Sequence, residues 1–241
     1  HIVTEVDWDD LFSDTPPRNL WSYQKKQATS KYIVGVGFTK KGFIMPKGFT
    51  AGQKISNFLS FLTLRVSDIE NFDDFPIPYR AVAADIGTGK EVVLNSGSLA
   101  DAMRASMAVP GVFTPVSLNG CLLVDGGIVK NLPVDVVKEM GADVVIAVAV
   151  GRDIYSQDEF RTAMGVYIRA SEIMGHTLKE YELIDADIVI RPKVGNLHWS
   201  EFSQAGSLVE EGERAAREHL DAICKVIRGS RRRSTVKRLL N

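Results

Sequence analysis

The 241-residue chain contains few of the residues that build covalent or metal-bound frameworks. Its two cysteines, Cys121 and Cys224, are too few and too far apart in sequence for a disulfide framework or a structural metal site. The four histidines include no i, i+4 pair and form no cluster with cysteine, which disfavours a zinc enzyme. The sequence therefore predicts no metal site.

The chain also has no excess of charge of one sign and no long apolar run. The chain has 29 basic and 30 acidic residues and a pI of about 6.5, so bulk charge does not favour nucleic acid as a partner. Its longest apolar run, residues 144–150, is far shorter than the ~20 residues of a membrane-spanning helix. A hydrophobic content of 45% is too high for a mainly disordered chain, so we expect a soluble globular protein.

Apolar periodicity alternates between the helix and strand periods along the chain. Helices are predicted over residues 53–64, 98–107, 133–141, 160–181 and 208–227, and strands over residues 32–38, 79–85, 91–95, 113–118, 121–124, 144–150 and 188–190. Asn119 and Gly120 separate two of these strands, which predicts a tight hairpin. The alternation predicts an α/β fold with a mainly parallel sheet.

The end of the chain carries charge of one sign. Residues 228–241 contain no acid and six cations, namely Arg228, Arg231, Arg232, Arg233, Lys237 and Arg238. We expect one domain over residues 1–228, followed by a basic tail or linker over residues 229–241. Such a tail suits either solvent or the phosphate groups of anionic lipids, so peripheral membrane contact is one alternative. Because the first residue is not methionine, the lack of a signal peptide leaves cytoplasmic and exported locations open.

Asp125, Gly126 and Gly127 follow directly after the predicted strand 121–124. In α/β sheets ligands bind beyond the carboxyl ends of strands. Glycines beside a carboxylate let the chain turn sharply and leave room for a substrate. Asp-Gly-Gly is also a common turn sequence, so the triplet alone fits both a catalytic and a purely structural role.

Five segments place this triplet in a wider pattern: residues 46–53, 81–85, 88–93, 104–113 and 123–134. In their order and spacing they resemble the patatin-like phospholipase family of the bacterial type, which are serine lipid acyl hydrolases. The resemblance implies a three-layer α/β/α sandwich around a mainly parallel sheet, a phospholipid or other acyl-lipid substrate, and neither a metal nor an organic cofactor. It also implies a Ser-Asp dyad, in which Asp125 of the motif with Gly126 and Gly127 assists the serine without a histidine.

One part of the family pattern is missing from these residues. The Gly-x-Ser-x-Gly turn that carries the nucleophile and the Gly-rich loop that supplies the oxyanion-hole amides are both absent from the sequence. The family has both in its N-terminal region, so the resemblance implies a hydrolase domain without that part, its serine lying upstream of this chain. The complete domain would cleave esters as a phospholipase A or lysophospholipase does, through an acyl-serine intermediate.

Several alternatives remain open at this point. Thr50 lies in a Gly-x-Thr-x-Gly sequence with the spacing of the missing turn, whereas Ser106, near a predicted helix end, is expected to pack or cap. His176 or His198 could complete the Ser-His-Asp triad of an α/β-hydrolase with Asp125. A degenerate, non-catalytic domain would instead only bind lipids or membrane surfaces.

Overall fold

The computed structural model describes residues 2–12, 37–39, 42–44, 48–151, 161, 163–195, 197 and 201–240 of the chain. The contacts within it divide the chain into two compact units. The first unit is Asp7–Gly126, and the second consists of His1–Val6 and Gly127–Asn241. Asp125 and Gly126 therefore end the first unit, and Gly127 belongs to the second.

Helices and strands alternate along the described residues. The α-helices are α1 (Ile2–Glu5), α2 (Trp8–Leu11), α3 (Gln53–Leu62), α4 (Leu99–Ser106), α5 (Val134–Glu139), α6 (Ala163–Glu182), α7 (Ala205–Glu218) and α8 (Leu220–Leu240). The strands are β1 (Gly37–Thr39), β2 (Gly42–Ile44), β3 (Gly48–Thr50), β4 (Ala81–Asp85), β5 (Lys90–Leu94), β6 (Gly111–Phe113), β7 (Val116–Leu118), β8 (Cys121–Asp125), β9 (Ile146–Val148) and β10 (Ile188–Ile190). Of the strand predicted over residues 32–38, residues 32–36 lie outside the described residues.

The first unit is built around a four-stranded antiparallel sheet with the strand order β5-β4-β8-β7. All five residues of the inner strand β4 are buried. Phe72, Leu123 and Ala105 of α4 belong to one apolar core and are almost completely buried. The ring of Phe72 stacks on that of Phe75 with 5.1 Å between the centroids. This core holds β8, the strand that ends at Asp125.

Local sequence signals set the boundaries of several elements in this unit. Asn119 and Gly120 join β7 to β8 and have positive φ angles of 50° and 80°, as a two-residue hairpin turn of type I′ requires. Ser98 is the N-cap of α4, and its side chain accepts a hydrogen bond of 3.2 Å from the N–H of Asp101. The predicted hairpin and the predicted helix start are both confirmed.

The second unit contains a pair of parallel strands, β9 and β10. On one face of this pair, Val145 and Ala147 pack in a core with Val134 of α5. On the other face, Ile188 and Ile190 of β10 pack with residues of α7 and α8. Helices therefore lie on both faces of this small parallel sheet, which is the arrangement of an α/β/α sandwich.

Strand β9 is covered on one face only. The side chains of Ile146, Val148 and Val150 are 40%, 48% and 59% exposed. Ile146 and Val148 are register partners of Ile188 and Ile190, so these four side chains share one face. Helices α7 and α8 cover the β10 part of that face and leave the β9 part open. A continuous apolar run such as residues 144–150 is typical of a parallel strand covered on both faces, and the exposed face of β9 departs from that pattern.

The α/β class predicted from the sequence is confirmed, but the sheets are only partly parallel. The pairs β3–β6 and β9–β10 are parallel, whereas every pair in the largest sheet is antiparallel. Short turns join β4 to β5 and β7 to β8, and a short turn permits only antiparallel pairing. The expectation of a mainly parallel central sheet is corrected accordingly.

The last helix is longer than its apolar pattern predicts. The single helix predicted over residues 208–227 is divided at His219 into α7 and α8, and α8 runs on to Leu240, so the basic residues continue the helix. Arginine, lysine and leucine favour helix, but residues 228–235 contain no apolar side chain, so no apolar period reveals the helix there. In the part of the chain that the structure describes, no helix is long and apolar enough to span a bilayer.

Candidate active site

Asp125 is the last residue of β8 and pairs with Ala83 of β4. Its backbone N–H donates a hydrogen bond of 3.0 Å to the carbonyl oxygen of Ala108, just beyond the end of α4. Its side chain is half-buried. The structure thus places the predicted acid at a strand end, held from one side by β4 and from the other by the segment after α4.

Gly126 needs to be glycine because its backbone lies directly on β4. A Cβ atom at this position would lie 2.4 Å from the carbonyl oxygen of Val82 and 2.8 Å from its carbonyl carbon, closer than any side chain can approach. The same Val82 oxygen accepts a hydrogen bond of 2.7 Å from Oγ of Ser106. This contact agrees with the packing role that the sequence suggests for Ser106.

Gly127 begins the second unit, where α6 anchors the residues that follow the motif. A Cβ atom at Gly175 of α6 would lie 3.5 Å from the carbonyl oxygen of Gly127. At the end of α6, the carboxylate of Glu182 accepts hydrogen bonds of 3.2 Å and 2.7 Å from the N–H groups of Asn131 and Leu132. Glu182 therefore fixes the loop that leads from Gly127 to α5.

Asp85 is a second carboxylate on the sheet, and sequence patterns give no hint of its role. Its buried side chain accepts hydrogen bonds from the Thr88 hydroxyl at 2.7 Å, the Gly87 N–H at 3.2 Å and the Leu122 N–H at 3.3 Å. The hydroxyl of Thr88, followed by the N–H of Gly87, holds the pKa of Asp85 below its usual value. With both oxygens engaged, Asp85 ties the β4–β5 turn to the start of β8.

Arg104 is a buried cation that joins distant segments. Its Nη2 atom donates hydrogen bonds to the carbonyl oxygens of Ala51 at 3.0 Å and Thr114 at 3.3 Å. The guanidinium carbon lies 4.7 Å from the centroid of the Phe113 ring, in a cation–π contact. A Cβ atom at Gly52, whose φ is 76°, would lie 2.7 Å from the same Nη2 atom. Glycine is needed at position 52 to make room for Arg104.

Thr50, the alternative nucleophile, lies at the end of β3. β3 pairs in parallel with β6, and the Thr50 carbonyl accepts from the N–H of Thr114 at 3.0 Å. The hydroxyl of Thr50 donates to the carbonyl oxygen of Phe12 at 3.3 Å. These contacts give Thr50 a structural role within the first unit.

The two histidines of the triad alternative differ in what the structure describes. His176 lies on α6 with 63% of its side chain exposed, and its Nε2 atom is 4.0 Å from a carboxylate oxygen of Glu180. His198 lies outside the described residues. Among the described residues, no group of three His, Cys, Asp or Glu side chains is placed to hold a metal ion.

Comparison with known proteins shows which family the chain belongs to. The family model of the patatin-like phospholipases matches residues 4–138, which is more than half of the chain and includes Asp125 to Gly127. The chain belongs to the patatin-like phospholipase family. Its fold is accordingly the patatin fold, and family membership supports lipid hydrolysis as the general function.

Individual relatives are similar to parts of this patatin-like chain. An NTE family protein of Mycobacterium bovis is 47% identical over 77 residues, which are 32% of this chain and 21% of that protein. Another from Mycobacterium tuberculosis is 25% identical over 259 aligned residues, covering 86% of this chain and 44% of that protein. Patatin-like phospholipase domain-containing protein 7 of Mus musculus is 44% identical over 89 residues, 36% of this chain and 6% of that protein. The chain spans less than half the length of these relatives.

Proposed function

We propose that this chain is part of a serine lipid acyl hydrolase that cleaves ester bonds of phospholipids or related acyl lipids, with Asp125 as the acid of a Ser-Asp dyad. The main support is the fixed place of Asp125, whose N–H is bound by Ala108 and whose following turn packs on Val82. Family membership supports the lipid substrate class. Gly126 and Gly127 keep side chains away from the carboxylate and so leave room for the serine and the ester.

In the proposed reaction a serine hydroxyl attacks the ester carbonyl while its proton passes to the Asp125 carboxylate. The tetrahedral intermediate then expels the alcohol, which takes the proton, and the resulting acyl-serine is hydrolysed by water. An aspartate, with a reference pKa of about 3.9, is a weak base at neutral pH. It can act here only if the hydroxyl is within hydrogen-bond reach and oxyanion donors stabilise the intermediate.

The proposed serine and oxyanion donors belong to polypeptide outside these 241 residues, because the sequence contains no Gly-x-Ser-x-Gly turn. The open face of β9 supports this part of the proposal. Strands of parallel sheets are normally covered on both faces, and Ile146, Val148 and Val150 are each at least 40% exposed. Further polypeptide against β9 would bury these side chains.

The test is the variant Asp125→Asn in the natural full-length protein. The amide keeps the size of the side chain but cannot accept the proton, so turnover of a short-chain nitrophenyl ester should fall by about two to four orders of magnitude. Urea unfolding should be nearly unchanged. Asp135→Asn is the matched control, since Asp135 is an exposed acid paired with Lys130 and should leave turnover unaltered. Full turnover in Asp125→Asn would contradict the dyad assignment.

A second candidate function is lipid-surface binding without catalysis. It is favoured by the continuation of α8 through residues 229–240, which carries five of the six terminal cations on one helix. Each cation near an anionic bilayer contributes about 1 kcal/mol to binding at low salt. A full-length protein that binds anionic vesicles but releases no nitrophenol from the short-chain ester would favour this second function.

A further inference from the structure

Near the end of β8, a backbone carbonyl of β4 accepts a hydrogen bond from a side chain. The β4–β8 ladder runs from the pair Asp85–Leu123 to the pair Ala83–Asp125. Beyond Asp125 the chain leaves the strand as a 3-10 turn over Gly126–Ile128. The next carbonyl along β4, that of Val82, instead accepts a hydrogen bond of 2.7 Å from the hydroxyl of Ser106.

After Asp125 the chain turns in close contact with the same Val82 carbonyl. The Cα of Gly126 lies so close to the Val82 carbonyl that an added Cβ would be 2.4 Å from the oxygen and 3.3 Å from the N–H nitrogen of Ala83. A shift of this carbonyl would therefore move Gly126. Because Gly126 follows Asp125 directly, it would also change the direction of the Asp125 side chain.

Ser106 and Ala108 act from one short segment at the end of α4. Ser106 binds the carbonyl of β4, and the carbonyl of Ala108 accepts the N–H of Asp125 at 3.0 Å. The segment thus holds the two strands on either side of the point where β8 ends. With alanine at position 106, the carbonyl of the buried Val82 would lose this donor.

We propose that Ser106 is a positioning residue for Asp125. Its hydroxyl holds the Val82 carbonyl in the place that sets the turn at Gly126, and so fixes the direction of the Asp125 carboxylate. The inference rests on the proposed role of Asp125 as dyad acid. A misplacement of about 1 Å in a reacting group can reduce the rate by as much as a hundredfold.

The test compares serine variants at the two ends of α4 in the natural full-length protein. Ser106→Ala should lower kcat for a soluble short-chain ester by about tenfold and change KM by less than about twofold. Ser106→Thr keeps the hydroxyl and should restore kcat to within about threefold of the wild type. Ser98→Ala is the matched control, because it removes the N-cap bond to Asp101 from the same helix and should lower Tm without lowering kcat.

The outcomes separate this inference from the proposed function. Equal kcat values in Ser106→Ala and Ser98→Ala would overturn the positioning role. If Ser106→Ala does not fold, Ser106→Cys, with its weaker donor, should give a kcat below that of Ser106→Thr, and equality of the two would overturn it. Full activity in Asp125→Asn would overturn the dyad itself. Loss of activity in Asp125→Asn, together with a wild-type kcat in Ser106→Ala, would overturn only the positioning role.

Discussion

The two units differ in how completely they bury their apolar side chains. The largest fully buried side chains of the described residues, Phe72, Phe113, Leu123 and Val124, all belong to the first unit. In the second unit, the largest buried apolar side chains, those of Leu183, Ile188 and Ile190, are between 4% and 7% exposed. The first unit therefore has the more completely buried core, although both units carry exposed large apolar side chains, such as Ile77 in the first and Met174 in the second.

Helix α6 carries several of the exposed apolar side chains of the second unit. Its outer face, which we define as Ile173, Met174, Leu178 and Tyr181, is between 38% and 70% exposed. Lys179, by contrast, is 94% buried on the same helix, its side chain facing Gly151. Contiguous exposed apolar patches on soluble proteins often mark contact surfaces. Helix α6 thus buries one side and leaves an apolar side exposed.

The largest expected effect is the loss of stability when a fully buried side chain is truncated, and truncation of an exposed side chain is its comparison. Phe72→Ala in the first unit should lower the free energy of unfolding by about 3–5 kcal/mol, because a completely buried ring leaves a cavity. Met174→Ala on the outer face of α6 should change it by less than about 0.5 kcal/mol, since 68% of Met174 is already exposed. Urea unfolding of the 241-residue chain measures both.

Ile77→Ala is the control for an exposed side chain in the first unit, being 82% exposed. It should match Met174→Ala. A loss of several kcal/mol in Met174→Ala alone would show that the outer face of α6 is covered in solution.

The carboxylates of the two units should respond differently to salt. Asp85 has its pKa held below the usual value by the Thr88 hydroxyl and backbone N–H groups. In the second unit, the guanidinium of Arg214 and the N–H of Lys193 lower the pKa of Glu211 to about 2. In ~1 M NaCl the exposed ion pair is screened, so the pKa of Glu211 should rise, whereas that of Asp85 should move much less.

The sign of the pH dependence is the same for both groups. A depressed pKa stabilises the fold above the unfolded value, about 3.9 for aspartate and 4.3 for glutamate, and this stabilisation is lost as the pH falls through the folded value. Carboxyl-carbon NMR titrations at low and high salt measure each group directly. Equal upward shifts of the Asp85 and Glu211 pKa values in salt would contradict the distinction between uncharged and charged donors.

Features that depend on neighbouring residues could be predicted from the sequence. Asn119 and Gly120 specify the hairpin through their positive φ angles, and Ser98 specifies the start of α4 through its cap. The position of Asp125 at the end of β8 follows from the same local pattern of strand and glycine turn. Helix α6, predicted over residues 160–181, runs over Ala163–Glu182.

Features that depend on distant residues could not be predicted. Apolar periodicity does not encode strand direction, so the antiparallel pairing of β4 with β8 is invisible in the sequence. Apolar periodicity also does not show which side of α6 is buried. The clamp from Arg104 to Ala51 spans 53 residues and the bond from Ser106 to Val82 spans 24, and neither has a local signal. The candidate site could thus be located from the sequence, but its supporting contacts could not.

A smaller effect is expected for membrane binding by the basic end of α8. Phosphatidylserine-rich vesicles should bind the 241-residue chain better than neutral phosphatidylcholine vesicles at low salt, because each cation contributes about 1 kcal/mol near an anionic bilayer. Removal of residues 231–241 should abolish this preference in a co-sedimentation assay, and ~0.5 M salt should weaken it. Equal partitioning of the long and short chains would show that the segment is a linker in water.

The smallest effect is expected for His176 and His198, the histidines of the triad alternative. The His176 side chain is 63% exposed and lies near Glu180, so its removal leaves no buried group without a partner. In the natural full-length protein, His176→Ala and His198→Ala should each keep turnover of a short-chain ester within a few-fold. The pH–rate profile should gain no new dependence near the imidazole reference pKa of about 6.5. Asp125→Asn, assayed in parallel, gives the loss expected for the proposed dyad acid. A thousandfold loss in either histidine variant would instead establish a Ser-His-Asp triad and remove the Ser-Asp dyad from consideration.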